Sequence, residues 1–324
     1  MVKRPKSDFW TVGVVPERID RLTPERLQAL RDRIVWMPAA DPWCYYADPF
    51  ALQEGASLCV FVEAFDYRSK RADLRRLNLD LETGSWSAPA VVLRRPFHLS
   101  YPFVFEHDGH AWMVPETSQA GEVALYRATD GLDRWERVGP LLTGVPAVDA
   151  SVLCHDGTWW MFYSIIGPNK RDQRELHVAH ADALQGPWTP HGANPVRAAL
   201  DGARPAGTPF VSAEGFVVQP VQDSRAGYGG ATRWVVFDQL SREAVSARLM
   251  TPTFTGDLAH PDFTEGLHTM SACGEFTLID VKRVDRSRQR QWLDWKRRVR
   301  RWLQPGGPTM ATTADAPGAR SLAD

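Results

Sequence analysis

Polar residues able to do acid–base chemistry recur at matching places in five similar segments of this chain. The segments open ADPFAL (47–52), SYPFVF (100–105), VDASVL (148–153), GTPFVS (207–212) and LHTMSA (267–272). Their second residues are Asp48, Tyr101, Asp149, Thr208 and His268. Glu63, Glu116 and Ser164 each follow 15 residues later, while Gln222, with Asp223 beside it, follows Thr208 by 14. Glu63 and Glu116 interrupt the apolar runs CVFVEAF and WMVPETS. A carboxylate in such a run is costly to bury unless it is paired or hydrogen-bonded, so these acids mark a site.

Several carboxyl groups in one place suit glycosidic chemistry. The transition state is positively charged, one carboxylate serves as base or nucleophile, and a protonated partner serves as acid. Crowding like charges raises one pKa and keeps that acid protonated near neutrality. Asp48, Asp149 and Glu116 are the candidate catalytic groups. Tyr101, Glu63, Gln222, Asp223 and His268 are candidate substrate contacts, as are His98 and Arg204, which precede two of the segments. Arg204 suits a carboxylate or a phosphate, and His98 suits a sugar hydroxyl. Structural roles compete with these readings. Asp48 and Asp149 fit turns before strands, Arg204 fits an ion pair locking neighbouring elements, and His98 fits a loop cap.

For these residues to meet, the segments must be equivalent strands around an axis. Successive starts are 53, 48, 59 and 60 residues apart, and a period near 50 built of short strands predicts a β-propeller. The fold class is therefore all-β, a five-bladed propeller over residues 37–286, with short N-terminal and C-terminal helices. Asp108-Gly109 and Asp156-Gly157 predict tight hairpins after two inner strands. Trp86, Trp135 and Trp188 recur before fourth strands. The last blade lacks a clear fourth strand, and residues 10–15 (WTVGVV) could supply it and close the ring, removing exposed edges. Thr23 to Trp36 reads as a helix, with Thr23 as N-cap and Pro24 in the first turn.

Residues 287–303 carry Trp292, Trp295, Val299 and Trp302 at helical spacing, opposite Arg297, Arg298, Arg300 and Arg301. A basic helix with Trp on its apolar face suits an anionic membrane interface, and equally a helix packed under the propeller. Residues 304–324, rich in Pro, Gly, Ala and Thr, read as a disordered tail. The net charge of −1 argues against nucleic acid. Four scattered cysteines without a CxxC pair argue against zinc. The N-terminus MVKRPKSDFW lacks an apolar run, so a cytoplasmic location is expected, with peripheral contact at the inner membrane face through the basic helix. No cofactor is expected; an axial Ca²⁺ would draw on oxygen ligands or His268, but no compact ligand loop supports it.

The runs YYADPF, RRPFHLSYPFVFEHDG, MVPETSQAGEVALYRA, AVDASVL, LQGPWTPHGANPV, ARPAGTPF and QPVQDS resemble the propeller domain at the N-terminus of glucosamine inositolphosphorylceramide transferases. The resemblance covers roughly residues 8 to 284. It implies a five-bladed propeller similar to glycoside hydrolase families 43 and 32. In that wider superfamily the base or nucleophile is an Asp matched by Asp48, and a second, tuning Asp is matched by Asp149. The superfamily's acidic Glu on the fourth blade has no match, because that region reads GARPAGTPF with Arg204. This departure favours glycosyl transfer from a phosphate-activated donor, a furanosyl donor being one option, with Arg204 on the phosphate and Glu116 as acid or hydroxyl ligand. Hydrolysis of a furanoside and non-catalytic sugar binding are the alternatives.

Overall fold

The structure, a computed structural model, describes residues 7–286 and four helical positions beyond them, Trp292, Trp295, Lys296 and Val299. Five antiparallel sheets succeed one another along the chain as five blades. Blade 1 runs through Cys44–Glu54, Ser57–Asp66, Arg71–Asp80 and Ala90–Leu93. Blade 2 comprises Ser100–His107, His110–Glu116, Glu122–Asp130 and Arg134–Thr143. Blade 3 comprises Ala147–His155, Thr158–Ile165, Glu175–Ala181 and Thr189–Pro190, with Arg197–Ala198 also on its third strand. Blade 4 has a very short first strand, Phe210–Val211, then Val217–Asp223, Ala231–Leu240 and Val245–Phe254. Blade 5 takes Leu267–Cys273 and Phe276–Asp285 from the end of the propeller and completes itself with Ser7–Val15 and Val35–Trp36 from the start.

Ring closure therefore occurs as expected in kind but not in detail. Ser7–Val15 is the third strand of blade 5, not the fourth, and Val35–Trp36 is the outer one. The predicted helix is correspondingly shorter. Thr23 caps it, accepting the Arg26 N–H at 3.2 Å, but the helix spans only Pro24–Ala29. A 3-10 turn at Arg31–Arg33 follows, and the β-branched Ile34-Val35 pair then goes extended, pairing Val35 with Val14. The two Asp-Gly hairpins form with both residues at positive φ (Asp108 49°, Gly109 70°; Asp156 49°, Gly157 74°), matching the twist of the flanking strands.

Alternating apolar residues of neighbouring blades fill the space between sheets. Phe50, Phe61, Phe103, Met113 and Tyr126 are almost fully buried in the cluster joining blades 1 to 3. The recurrent tryptophans act as pegs: the Trp135 indole donates to the Leu132 carbonyl at 3.1 Å, and that of Trp188 to Leu184 at 2.9 Å. Among the described residues no helix is long and apolar enough to cross a membrane. Trp292 and Trp295 are helical and exposed, with the Lys296 ammonium 3.5 Å from the Trp292 ring centroid. Arg297, Arg298, Arg300, Arg301, Trp302 and the expected tail lie outside the described residues.

Candidate active site

Four inner strands share one irregularity at the position singled out by the repeat. Pairing to the second strand slips between Ala47 and Phe50, Ser100 and Phe103, Val148 and Ser151, and Leu267 and Met270. At three of these bulges the backbone turns left-handed, with φ of 50° at Asp48, 47° at Tyr101 and 52° at Asp149. Asp tolerates this region better than most residues, whereas Tyr does not, so the geometry is held by what surrounds it. A bulge re-aims a side chain and frees its amide from the ladder. The freed amides lace the blades together: Asp48 N–H donates to Asp280 Oδ2 at 2.9 Å, and Tyr101 N–H to Asp48 Oδ2 at 3.2 Å.

Asp48 is 5 % exposed and also accepts from Thr269 Oγ1 at 2.9 Å, with His268 Nε2 3.4 Å from Oδ1. His268 in turn sets its Nδ1 2.7 Å from Asp280 Oδ1 and stacks on Trp10 with centroids 3.8 Å apart. Burial alone would lower the His268 pKa, but Asp280 and Asp48 outweigh it and hold the ring above its usual value. Burial lifts Asp48 to about 6 against the pull of His268, with Asp149 and Asp280 adding to the rise. The Asp48–His268–Asp280 triangle does not fit a Ca²⁺ ion, which needs six to eight oxygens. It offers only four carboxylate oxygens, and each already accepts at least one hydrogen bond: Asp280 Oδ1 from His268 N–H and Thr269 N–H, the other three from the groups just named.

The second half of the site is built on Asp149. Arg204 grips it with both faces of its fork, Nε to Oδ2 at 2.5 Å and Nη2 to Oδ1 at 3.2 Å, and Gln222 Nε2 adds a third contact at 3.2 Å. Burial lifts Asp149 to about 6, against the opposing pull of Arg204. Arg204 also donates to Asp172 at 3.0 Å, lies 3.8 Å from Glu116 Oε2, and sits 5.3 Å from the Tyr228 ring centroid. Its charge is thus shared among three carboxylates, and a phosphate placed on it would face all of them. The expected role of Arg204 as phosphate contact is not supported by this geometry.

Glu116 accepts from Ser118 Oγ at 2.8 Å, and burial raises its pKa although Arg204 opposes the rise. Glu63 is raised well above the usual range by burial and by the charges of Asp48, Glu116 and Asp149. His98 Nδ1 accepts the Ala72 amide at 3.1 Å, so the proton resides on Nε2, which faces Glu63 Oε1 at 3.5 Å. Burial lowers the His98 pKa and keeps the ring neutral. The cluster therefore combines aspartates lifted to about 6 with two glutamates that burial holds above the usual carboxyl range. The cluster thus brings a candidate base together with carboxyl groups whose protonated form burial favours.

Two expected contacts, Tyr101 and Asp223, and the repeat position Thr208 sit elsewhere. The Tyr101 hydroxyl is fully buried between Ser151 Oγ at 2.8 Å and the Gly207 amide at 2.7 Å, so it ties blades 2, 3 and 4. Asp223 turns away from Gln222 and pairs with Arg225 at 2.6 Å. Thr208 accepts the Ala272 amide at 3.1 Å, further along the channel, and the stretch at Arg204 takes the place expected for it: the Gln222 amide donates to the Arg204 carbonyl at 2.8 Å, which sets Arg204 level with Ala47, the neighbour of Asp48 that faces Glu63 in blade 1. The repeat did not reveal Asp280, Thr269, Asp172, Tyr228 or Trp10. Asp280 alone had a signal, as it interrupts the apolar run FTLIDVKR just as Glu63 interrupts its own. A depression of about 460 Å³ opens at the other end of the channel, among Phe103, Phe105 and Trp159, and holds none of these acids.

Residues 36–248 match the family described as glucosamine inositolphosphorylceramide transferase 1, N-terminal. Glucosamine inositolphosphorylceramide transferase 1 from Oryza sativa subsp. indica is 30% identical over 205 residues, 62% of this chain and 27% of the relative. The Arabidopsis thaliana protein of the same name is 26% identical over 256 residues, 72% of this chain and 33% of the relative. The chain thus spans about a third or less of these relatives. Among solved structures, the catalytic domain of a Coprinopsis cinerea GH62 α-L-arabinofuranosidase superposes with a TM-score of 0.55 at 12% identity, covering 76% of this chain and 93% of that one. A family 117 glycoside hydrolase from Zobellia galactanivorans gives 0.51 at 13% identity, covering 78% and 88%. At such identities the likeness speaks for the fold alone.

Proposed function

Because this chain belongs to the family of the glucosamine inositolphosphorylceramide transferase 1 N-terminal domain, we propose that its acid-lined mouth binds a sugar and transfers it in glycolipid assembly. The observation that carries this reading is the pairing of an ionisable, tightly held Asp48 with glutamates whose pKa values are raised by burial, all at one mouth. In the step, the bond between sugar C1 and an activating phosphate oxygen breaks, and its electron pair leaves on the phosphate. The acceptor hydroxyl oxygen bonds C1, and its proton passes to the Asp48 carboxylate. Glu116 and Glu63 donate hydrogen bonds to sugar oxygens. Asp149, fixed by Arg204 and Gln222, supplies negative charge to the oxocarbenium-like transition state. A phosphate leaving group needs no strong acid, which suits a site with Arg204 on blade 4.

A carboxylate base beside glutamates whose protonated form burial favours also suits a second reading, hydrolysis of a glycoside. The two separate by product. Incubation with a nucleotide-activated aminosugar and an inositol-phosphate lipid yields labelled lipid under the first reading. Release of nitrophenol from aryl furanosides, with no labelled lipid, would favour hydrolysis. Sugar binding without turnover on either substrate would overturn both.

A further inference from the structure

Arg204 is committed to carboxylates, so the proposed phosphate must bind elsewhere, and a second depression beside the acid mouth has the chemistry for it. A cavity of about 300 Å³ is lined by Arg71, Arg75, Arg94 and Arg95 against two carboxylates, Asp66 and Asp73. Neither carboxylate cancels the whole set. Asp66 pairs with Arg68 at 2.9 Å, outside the lining. Asp73 is shared between Arg75 at 2.9 Å and Arg94 at 2.6 Å. Among the described residues the Arg95 guanidinium meets the Arg94 carbonyl, at 3.1 Å, and the face of Tyr126. The exposed Arg71 guanidinium has no hydrogen bond or ion pair among the described residues. Arg71 and Arg95 therefore carry uncompensated charge, and the exposed fork of Arg94 adds donors.

The cavity abuts the acids through a single partition. Phe97 lines it, and His98, the next residue, bonds the amide of Ala72 in the cavity wall while its other nitrogen faces Glu63. A sugar ring on the acids with a substituent directed past His98 would bring that substituent among the arginines. Two spare positive charges and planar forks match a phosphate dianion, which the carboxylates of Asp48 and Asp149 would repel from the acid cluster itself.

We propose that this arginine cavity is the phosphate subsite of the channel mouth. The inference rests on the sugar-transfer reading for its link to the acids, but not for the phosphate binding itself. The phosphate comes from a sugar donor or from a lipid headgroup.

The test uses the full chain and two probes: calorimetric titration with inorganic pyrophosphate, and co-sedimentation with phosphatidylcholine vesicles with and without phosphatidylinositol. Arg71→Ala/Arg95→Ala is compared with Arg33→Ala/Arg134→Ala, which removes the same charge from exposed positions elsewhere. The proposal expects pyrophosphate affinity to fall at least about tenfold in the first variant and less than about twofold in the second, a tenfold change being about 1.4 kcal/mol. Loss confined to phosphatidylinositol vesicles instead identifies a headgroup phosphate. If neither probe separates the two variants, the proposal is wrong. Asp48→Asn keeps the two claims apart, since it should retain pyrophosphate binding while losing turnover. Arginine-dependent phosphate binding in a protein with no turnover on any sugar donor would sink the functional reading and leave the subsite standing.

Discussion

Removing the Arg204 guanidinium tests how the acid cluster is held together. In Arg204→Met the side-chain volume is roughly kept, but Asp149 loses a bidentate partner at 2.5 and 3.2 Å, and Asp172 and Glu116 lose their nearby cation. Breaking one partner of a buried ion pair costs about 3–5 kcal/mol. For a domain of this size about 2–4 °C accompanies each kcal/mol, so the melting temperature should fall by about 6–20 °C at pH 8. The loss must depend on pH. Arg204 restrains the rise of both carboxyl pKa values, so without it Asp149 moves further above about 6 and Glu116 rises too. At pH 5 both groups take up protons and the unpaired charge disappears. The deficit should then shrink to about 1–2 kcal/mol, the value of lost neutral hydrogen bonds. Thermal unfolding of wild type and variant at pH 5 and pH 8 measures this. An equal deficit at both pH values, or one below about 1 kcal/mol at pH 8, would refute the electrostatic account of the site.

Wild-type stability should itself fall as pH rises through the acid range. Asp48 and Asp149 bind protons more tightly folded (about 6) than unfolded (about 3.8), so their contribution is complete below pH 4 and lost by pH 6, about 3 kcal/mol each. The raised His268 has the same sign, its contribution fading as pH climbs above its folded value. Surface acids such as Asp182 and Glu17, lowered by arginine partners, act oppositely at low pH, so denaturation against pH should show an optimum near pH 5. Deleting residues 1–15 removes the third strand of blade 5 and the Trp10 face under His268, so light scattering should report aggregation of an unpaired edge. Asp223→Asn should leave any sugar affinity within about twofold, because its carboxylate serves Arg225 rather than the cluster.

How much was legible in the sequence depended on how local each signal is. The Asp-Gly hairpins and the capped Thr23-Pro24 helix start depend on neighbouring residues alone and formed as read. Asp48 and Asp149 emerged because three bulges repeat at a fixed place, so counting from one blade to the next worked. Counting failed in blade 4, where the first strand shrinks to Phe210–Val211 and the irregular stretch at Arg204, rather than Thr208, lies opposite Gln222. Val35–Trp36 is too short for any alternation to show, which is why the N-terminal strand was assigned the outer place. Tyr228, Asp172 and Trp10 reach the site from two loops and from the opposite end of the chain. Only tertiary closure brings them there.

The central claim is that the acids at this mouth perform glycosyl chemistry with Asp48 as the base. Transfer of labelled aminosugar to lipid acceptor, followed in wild type and in Asp48→Asn with matched circular dichroism spectra, tests it most directly. The account predicts a loss of at least about a hundredfold in the variant, the usual scale of a general base. Full activity in Asp48→Asn would contradict it.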